Sequence, residues 1–340
     1  MDLAELEEQA RRVLPRGVYD YFAGAAGDEL TLADNVAAWD RVRLRPRVLR
    51  DVSSVDTRTT VLGTPVATPV LVAPTAFQRM AHPDGEVATA VGAAAAGSLM
   101  VLSTRSTTSA EDVAAAAPDA PRWYQVYVLQ DRQRTEALVK RAVAAGYGAL
   151  MLTGDTPLLG RRLRDVRNEF ELPANIGSAV ADGGGGNLVD QAADVTFDDI
   201  GWLLELSGLP VLVKGVLRGD DASAAIDAGA AGVVVSNHGG RQLDGAIASA
   251  DALPEVVDAV GDAGEVYVDG GIRRGIDVVR ALAMGATGVL VGRPALWGLS
   301  TGGADGVRRV LRALTHEFQL AMALCGACTV GEISPDLVAP

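Results

Sequence analysis

The sequence predicts an α/β fold: a (β/α)8 TIM barrel with an N-terminal helical extension and a long loop after barrel strand 4. Two observations predict it. The first is an internal repeat. The segments AAAAGSLMVLS (93–103), AAGYGALMLTGD (144–155), DAGAAGVVVSNH (227–238) and AMGATGVLVGRP (283–294) share one pattern. Each closes a helix on Ala or Met then Gly, which relieves a left-handed turn, and then runs apolar before an abrupt polar end. Such apolar runs suit strands buried on both faces, as in a parallel sheet covered by helices. The second is a set of four more runs: PVLVAP (69–74), WYQVYV (123–128), PVLVKG (210–215) and EVYVDG (265–270). Eight strands with helical patterns between them, such as TEALVKRAVAAG (135–146), indicate a barrel rather than a doubly wound sheet.

The elements follow in order. Residues 1–68 form the extension, helical in LAELEEQARRVL and packed across the barrel, and 69–340 form the barrel, so that 1–340 is read as one domain. About 56 residues separate the fourth and fifth strands, and they contain ADGGGGN (181–187). This stretch reads as a mobile loop over the barrel mouth.

Composition narrows the function. The chain of 340 residues is 49% hydrophobic and 21% charged, ample for a large core. A formal charge of −13 argues against nucleic acid as a partner, which calls for clustered positive charge. Any bound anion must therefore be held by a local group of cations. No membrane span or secretory signal is read, and a reducing, cytoplasmic setting fits. Cys325 and Cys328 spell C-x-x-C far from any βα start and read as small core residues of a terminal helix. The three histidines, His82, His238 and His316, lack metal-ligand spacing, so no metal is expected. His82 reads as a turn residue and His316 as solvent-facing or at an interface.

In this fold chemistry sits at the C-terminal strand ends, so listing those ends predicts the site. They supply Pro74, Thr75 and Ala76; Ser103; Gln125 and Tyr127; Thr153 and Asp155; Lys214; Ser236, Asn237, His238 and Arg241; Asp269, Gly270, Gly271 and Arg273; and Gly292 and Arg293. Lys214 is one of two lysines among 30 basic residues, the other being Lys140 on a charged helix face. At a strand end a compact ammonium differs from a guanidinium, which favours a functional lysine over a structural ion pair. VDGGIRRG (268–275) and VGRP (291–294) place glycine amides and arginines after strands seven and eight, where such barrels grip phosphate. G-x-G-x-x-G is absent after the first strand, so a nicotinamide site is not indicated.

SNHGGRQLDG (236–245) resembles the signature of the FMN-dependent 2-hydroxy-acid oxidase/dehydrogenase family, which includes glycolate oxidase, lactate oxidase, mandelate dehydrogenase and 4-hydroxymandelate oxidase. VYDYFAGAAGDELTL, APTAFQRMAHPDGE, QVYV, LTGDTPLLGRRLRDVRN, VLVKGV, VDGGIRRGIDVVRALAMGA and VGRPALW carry the resemblance along nearly the whole chain. It implies FMN as cofactor and oxidation of an L-2-hydroxy acid to the 2-oxo acid. His238 is then the base for the substrate hydroxyl while hydride passes from Cα to flavin N5. Asp155 holds the imidazole and, as an opposite charge, raises its pKa. Arg241 and Arg162, with the hydroxyls of Tyr21 and Tyr127, fix the carboxylate and the 2-oxygen. Lys214 stabilises the reduced ring at its N1/O2 edge. Ala76, Ser103, Gln125 and Thr153 line the ring, Asp269, Gly271, Arg273, Gly292 and Arg293 hold the ribityl phosphate, and Pro74, Thr75, Ser236 and Gly270 complete the cofactor site. The family implies a homotetramer.

Three positions depart from the family pattern. Arg105 stands where relatives carry an aromatic or small residue beside the substrate; inward it offers a cation to a polar or anionic tail, outward it is a solvated loop arginine. Gly154 replaces a branched residue and is expected to add room near the flavin face. The segment 174–195 is short, and is expected to close as a loose lid or to be disordered. With no N-terminal haem domain or membrane-anchoring insertion in view, oxygen is the expected electron acceptor. The alternatives are a quinone or protein acceptor, an FMN barrel isomerase, and a barrel that binds flavin without catalysis. The His238, Asp155 and Arg241 set speaks against the last two, since neither needs a base paired with a carboxylate clamp.

Overall fold

Inward and outward side chains alternate along every barrel strand, and that period of two carries the core upward into the site. The computed structural model describes residues 1–173, 176–177 and 191–340. A hairpin of β1 (Thr59–Val61) and β2 (Thr64–Val66) precedes eight parallel strands. These are β3 (Val70–Val72), β4 (Met100–Ser103), β5 (Arg122–Val126), β6 (Leu150–Thr153), β7 (Val211–Val216), β8 (Gly232–Val235), β9 (Glu265–Val268) and β10 (Gly288–Val291). They pair in sequence order, and β10 closes onto β3 with Val291 opposite Val72, so the expected eight-stranded barrel is the observed one.

Leu71, Val101, Trp123, Met151, Leu212, Val234, Tyr267 and Leu290 fill the barrel interior. Trp123 meets Tyr267 edge-on at 5.4 Å between ring centroids. Truncating such a residue, for example Met151→Ala, costs about 2–5 kcal/mol because the surrounding strands cannot collapse into the void. The hairpin seals the lower end: Val61 and Val66 join this cluster, and the Leu62 amide donates to Glu265 at 2.9 Å. Two residues further along six of the strands the same inward face turns polar, at Ser103, Gln125, Thr153, Lys214, Ser236 and Asp269.

The outer ring comprises α4 (Gly85–Ala95), α5 (Ala110–Ala116), α6 (Arg132–Ala144), α8 (Asp198–Ser207), α9 (Gly219–Asp227), α10 (Ser249–Val260), α11 (Gly275–Ala283) and α12 (Arg293–Cys325), the last kinked at Gly302–Gly303, while the short α7 (Leu163–Arg167) packs against the extension. The extension begins with α1 (Leu3–Val13), α2 (Arg16–Ala23) and α3 (Leu30–Arg41). Asp2 caps α1 by accepting from the Ala4 amide, and Leu3, Leu6 and Ala10 bury its inner face. Helix α3 docks at the barrel mouth. Its Asn35 exchanges side-chain hydrogen bonds with Asn237, each 2.8 Å, and the Trp39 indole donates to the Gly270 carbonyl at 2.8 Å.

The extension carries the expected helix at Leu3–Val13 and two more as far as Arg41, and adds a hairpin that closes the end opposite the site. Of the segment expected to form a lid, 174–175 and 178–190 lie outside the described residues. Cys325 is a buried residue at the end of α12, as expected, but Cys328 lies past the helix and donates its thiol to the Asp51 carbonyl. His82 is a turn residue, its Nδ1 accepting from the Asp84 amide at 3.2 Å, and His316 is exposed. Among the described residues no helix is long and apolar enough to cross a membrane, and no cluster of metal-ligating side chains occurs.

Candidate active site

One cleft opens at the C-terminal ends of the strands, enclosing about 1140 Å³ with the solvent of its mouth included. Every candidate residue lines it except Asn237, which pairs with Asn35 of the extension, and Asp155 and Ser236. Those two stand directly behind: Asp155 against His238, and Ser236 against Lys214.

His238 sits just beyond β8 in left-handed backbone, with φ +59°. A side chain there is strained, and such strain persists only where neighbours impose it. The His238 amide donates to Ser236 Oγ at 3.0 Å, and Asn237 Oδ1 accepts from the Gly240 amide at 3.1 Å. The two glycines that follow also have positive φ, and at Gly240 a Cβ would press on the Leu32 amide of α3 at 2.8 Å. The Gly-Gly pair therefore lets the chain turn tightly beneath the extension while the imidazole is delivered into the cleft.

That imidazole is fixed at both nitrogens. Nδ1 lies 3.0 Å from Asp155 Oδ1 and 3.2 Å from Oδ2, and Nε2 faces the Tyr127 hydroxyl at 3.4 Å. A proton on Nδ1 satisfies the carboxylate and leaves the Nε2 lone pair toward the cleft. Burial lowers the histidine pKa below its ordinary 6.5, outweighing the pull of Asp155, with Lys214 and Arg162 adding to the depression. Asp155 does raise this pKa, as expected, but desolvation of the cation exceeds the attraction of one carboxylate and the net shift is downward. The Asp155 pKa also falls, on a different balance. Burial raises it, but His238 and Lys214 hold it below its usual range. Room for Asp155 comes from Gly215 (φ +109°), where a Cβ would stand 2.5 Å from the Asp155 Cβ. Tyr127 is pushed up by burial and by Asp155, and stays a neutral donor.

Lys214 is buried at 4% exposure. Its ammonium donates to Ser236 Oγ at 2.8 Å and pairs with Asp269 Oδ2 at 3.2 Å. Burial lowers its pKa, but Asp269 and Asp155 raise it further, so it is a fixed cation in the cleft wall. The structural ion pair weighed against a functional lysine is thus real, and it belongs to a cleft-lining lysine. Beside it runs a polar ledge across three strands: Ser103 Oγ donates to Gln125 Oε1 at 3.1 Å, and Gln125 Nε2 to Thr153 Oγ1 at 2.9 Å.

The arginines share anchors in the extension that the sequence did not disclose. Arg241 Nη1 donates to the carbonyls of Tyr21 (2.6 Å) and Gly24 (2.7 Å), leaving its Nε/Nη2 edge without a partner among the described residues. Arg293 reaches the carbonyls of Phe22, Gly239 and Gly24 at 2.9–3.0 Å. The Tyr21 ring lies under the Arg241 guanidinium at 5.1 Å. Burial and neighbouring guanidinium groups press these pKa values down: Arg241, beside Arg162, to about 10, and Arg293, beside Arg241 and Arg273, to about 9. Burial likewise lowers Arg273. Both Arg241 and Arg293 remain charged at neutral pH, which makes this wall a repulsive cluster that an anion relieves.

These features fit FMN. Asp269 Oδ1 is buried without a partner among the described residues, an acceptor suited to a ribityl hydroxyl. The Gly270–Gly271 turn (φ +91° and +82°) and Arg273 and Arg293 suit a phosphate, and the Ser103–Gln125–Thr153 ledge suits the edge of a flavin ring. At Gly154 a Cβ would make only ordinary contacts, with Lys214 O (3.7 Å) and Val213 (3.8 Å). Arg105 points inward, 8% exposed, with its guanidinium 5.9 Å from the Tyr127 ring centroid. Sequence reasoning missed Phe22, Leu159 and Gln191 in the lining, and Asn35 beneath it. Phe22 lay within a motif of the extension, but an apolar residue gives no sign of which cavity it faces.

A parallel barrel whose cleft pairs an Asp-held histidine with a buried lysine and an arginine cluster defines a class, the FMN oxidoreductases of the EC 1.1 type. The FMN-dependent dehydrogenase family matches residues 10–340. L-lactate oxidase of a Nostoc species is 50% identical, covering 99% of this chain and 98% of the relative. 2-Hydroxyacid oxidase 1 of Homo sapiens is 48% identical, covering 98% and 95%. The crystal structure of mandelate oxidase with (S)-4-hydroxymandelic acid superposes with a TM-score of 0.94 at 43% identity, covering 99% and 98%. The chain belongs to the FMN-dependent dehydrogenase family, and FMN is its cofactor.

Proposed function

We propose that this enzyme oxidises an L-2-hydroxy acid to the corresponding 2-oxo acid, with oxygen as the electron acceptor. The observation that carries the reading is His238, held on Nδ1 by Asp155 and facing the Tyr127 hydroxyl through Nε2, in a cleft edged by Arg162 and Arg241. The lactate, 2-hydroxyacid and mandelate oxidases among its relatives support the same chemistry.

The geometry supports a role for each residue. The Nε/Nη2 edge of Arg241 receives the substrate carboxylate as a bidentate fork, with Arg162 as second cation. The Tyr127 hydroxyl and the Tyr21 ring orient the 2-oxygen end. Nε2 of His238 takes the hydroxyl proton as the Cα–H bond breaks and the C–O bond becomes double. Asp155 keeps the ring in the required tautomer and stabilises the imidazolium that results. FMN bound along the cleft wall would supply the acceptor for the electron pair that leaves Cα. Lys214, fixed by Asp269 and Ser236, supplies positive charge at the ring-binding ledge. Pro74, Thr75, Ala76 and Gly292 complete the wall around that ledge.

A homotetramer supported by the family resemblance, and a cytoplasmic setting supported by two unpaired cysteines, complete the proposal. The test is oxygen consumption by the FMN-loaded enzyme with L-2-hydroxy acids. One hydrogen peroxide and one 2-oxo acid are expected per oxygen consumed. Oxidation that needs an added quinone and yields no peroxide refutes the choice of acceptor.

A further inference from the structure

Arg105 lies on the loop after β4, and that loop is locked. The Arg105 amide donates to Ser103 Oγ at 3.1 Å, and its carbonyl accepts from the Phe77 amide at 3.1 Å. Glu86, fully buried on α4, accepts from the amides of Gln78 (3.1 Å) and Thr107 (2.8 Å) and from the hydroxyls of Thr107 and Thr108. Swinging the loop outward strips a buried carboxylate of its donors, which is costly. The guanidinium is therefore presented to the cleft by a rigid support, over the face of Tyr127, whose hydroxyl meets His238. One phenol ring separates the reaction centre from Arg105.

Two arginines, Arg241 and Arg162, already serve the carboxylate beside His238. A third in the same lining is surplus to a monocarboxylate. A guanidinium has five N–H donors in a planar fork, enough to keep its existing contacts and still take a substrate carboxylate. An aliphatic tail pressed against the same group would strip its hydration and return nothing.

Resting on the 2-hydroxy-acid reading of the cleft, we propose that Arg105 sets specificity for a second carboxylate, so that the preferred substrates are short L-2-hydroxy dicarboxylic acids. One carboxylate binds at Arg241 and Arg162, the 2-hydroxyl lies at His238, and the distal carboxylate meets Arg105 across Tyr127.

The test is stopped-flow anaerobic reduction of the holoenzyme. L-malate and L-2-hydroxyglutarate are compared with their distal mono-amides, which match them in shape but lack the charge, and with L-lactate and L-mandelate. The dicarboxylates are expected to exceed their amides by about 10- to 100-fold in apparent second-order rate constant, the range of a charge-assisted hydrogen bond. In Arg105→Leu the carboxylate-to-amide ratio is expected to fall toward one, with partial recovery in Arg105→Lys. Flavin reduction by L-lactate or L-mandelate as fast as by both dicarboxylates overturns this proposal alone. So does an unchanged ratio in Arg105→Leu. Reduction by no 2-hydroxy acid at all overturns the underlying function as well.

Discussion

His238 Nδ1 stands 3.0 Å from Asp155 Oδ1, at the meeting of two strand ends that are 83 residues apart in sequence. The pair sets the tautomer, so its disruption affects chemistry more than binding. Asp155→Asn is expected to retain FMN and to reduce the rate of flavin reduction by about 10²- to 10⁴-fold. Single-turnover reduction monitored at the flavin band checks this; a loss confined to substrate affinity contradicts it.

The pH dependence has a definite sign. The base is the neutral imidazole, so kcat/KM rises as pH increases through the His238 pKa. Burial places that limb below 6.5. Asp155 raises this pKa, so Asp155→Asn moves the limb to still lower pH while its plateau falls. A pH profile of both proteins settles the sign, and a limb above 6.5 in the wild type goes against the burial argument.

Gly215 is a steric requirement. Its φ of +109° and the 2.5 Å approach of a Cβ to Asp155 mean that Gly215→Ala displaces the carboxylate. The expected result is a loss of about 1–3 kcal/mol in stability, together with slower flavin reduction. Urea denaturation paired with reduction kinetics measures both; wild-type values for each would contradict the geometry.

Arg293 couples cofactor and extension. It reaches three carbonyls, two of them at Phe22 and Gly24, and a lysine cannot reproduce that fork. Arg293→Lys is expected to lower the thermal midpoint and to weaken FMN binding by roughly tenfold or more. Recovery of flavin fluorescence on dilution reports the second effect, and unaltered FMN retention rules out the coupling.

Much of the barrel was legible because one pattern repeats: a helix tail, a glycine, and an apolar run with a polar end. The inward ring Ser103, Gln125, Thr153, Lys214 and Asp269 was legible for the same reason, since a period of two continues the interior face past the last apolar layer. Partners across the mouth were not. Nothing local joins Lys214 to Asp269, or Asn35 to Asn237 202 residues away, because those contacts exist only once the strands close. The direction of Arg105 was equally hidden, since a loop does not keep the parity of its strand. The pull of Asp155 on His238 was legible because a neighbouring carboxylate is visible in a motif; the larger, opposing effect of desolvation was not, since it depends on everything packed around the ring.

The most direct measurement is anaerobic titration of the FMN-bound wild type and of His238→Gln with L-2-hydroxy acids. The oxidised flavin band of the wild type is expected to bleach with one equivalent of the preferred acid. His238→Gln is expected to bind FMN and to keep the band unbleached over the same interval. Fast bleaching in His238→Gln, or none in the wild type with any L-2-hydroxy acid, contradicts the assignment of His238 as the base of this reaction.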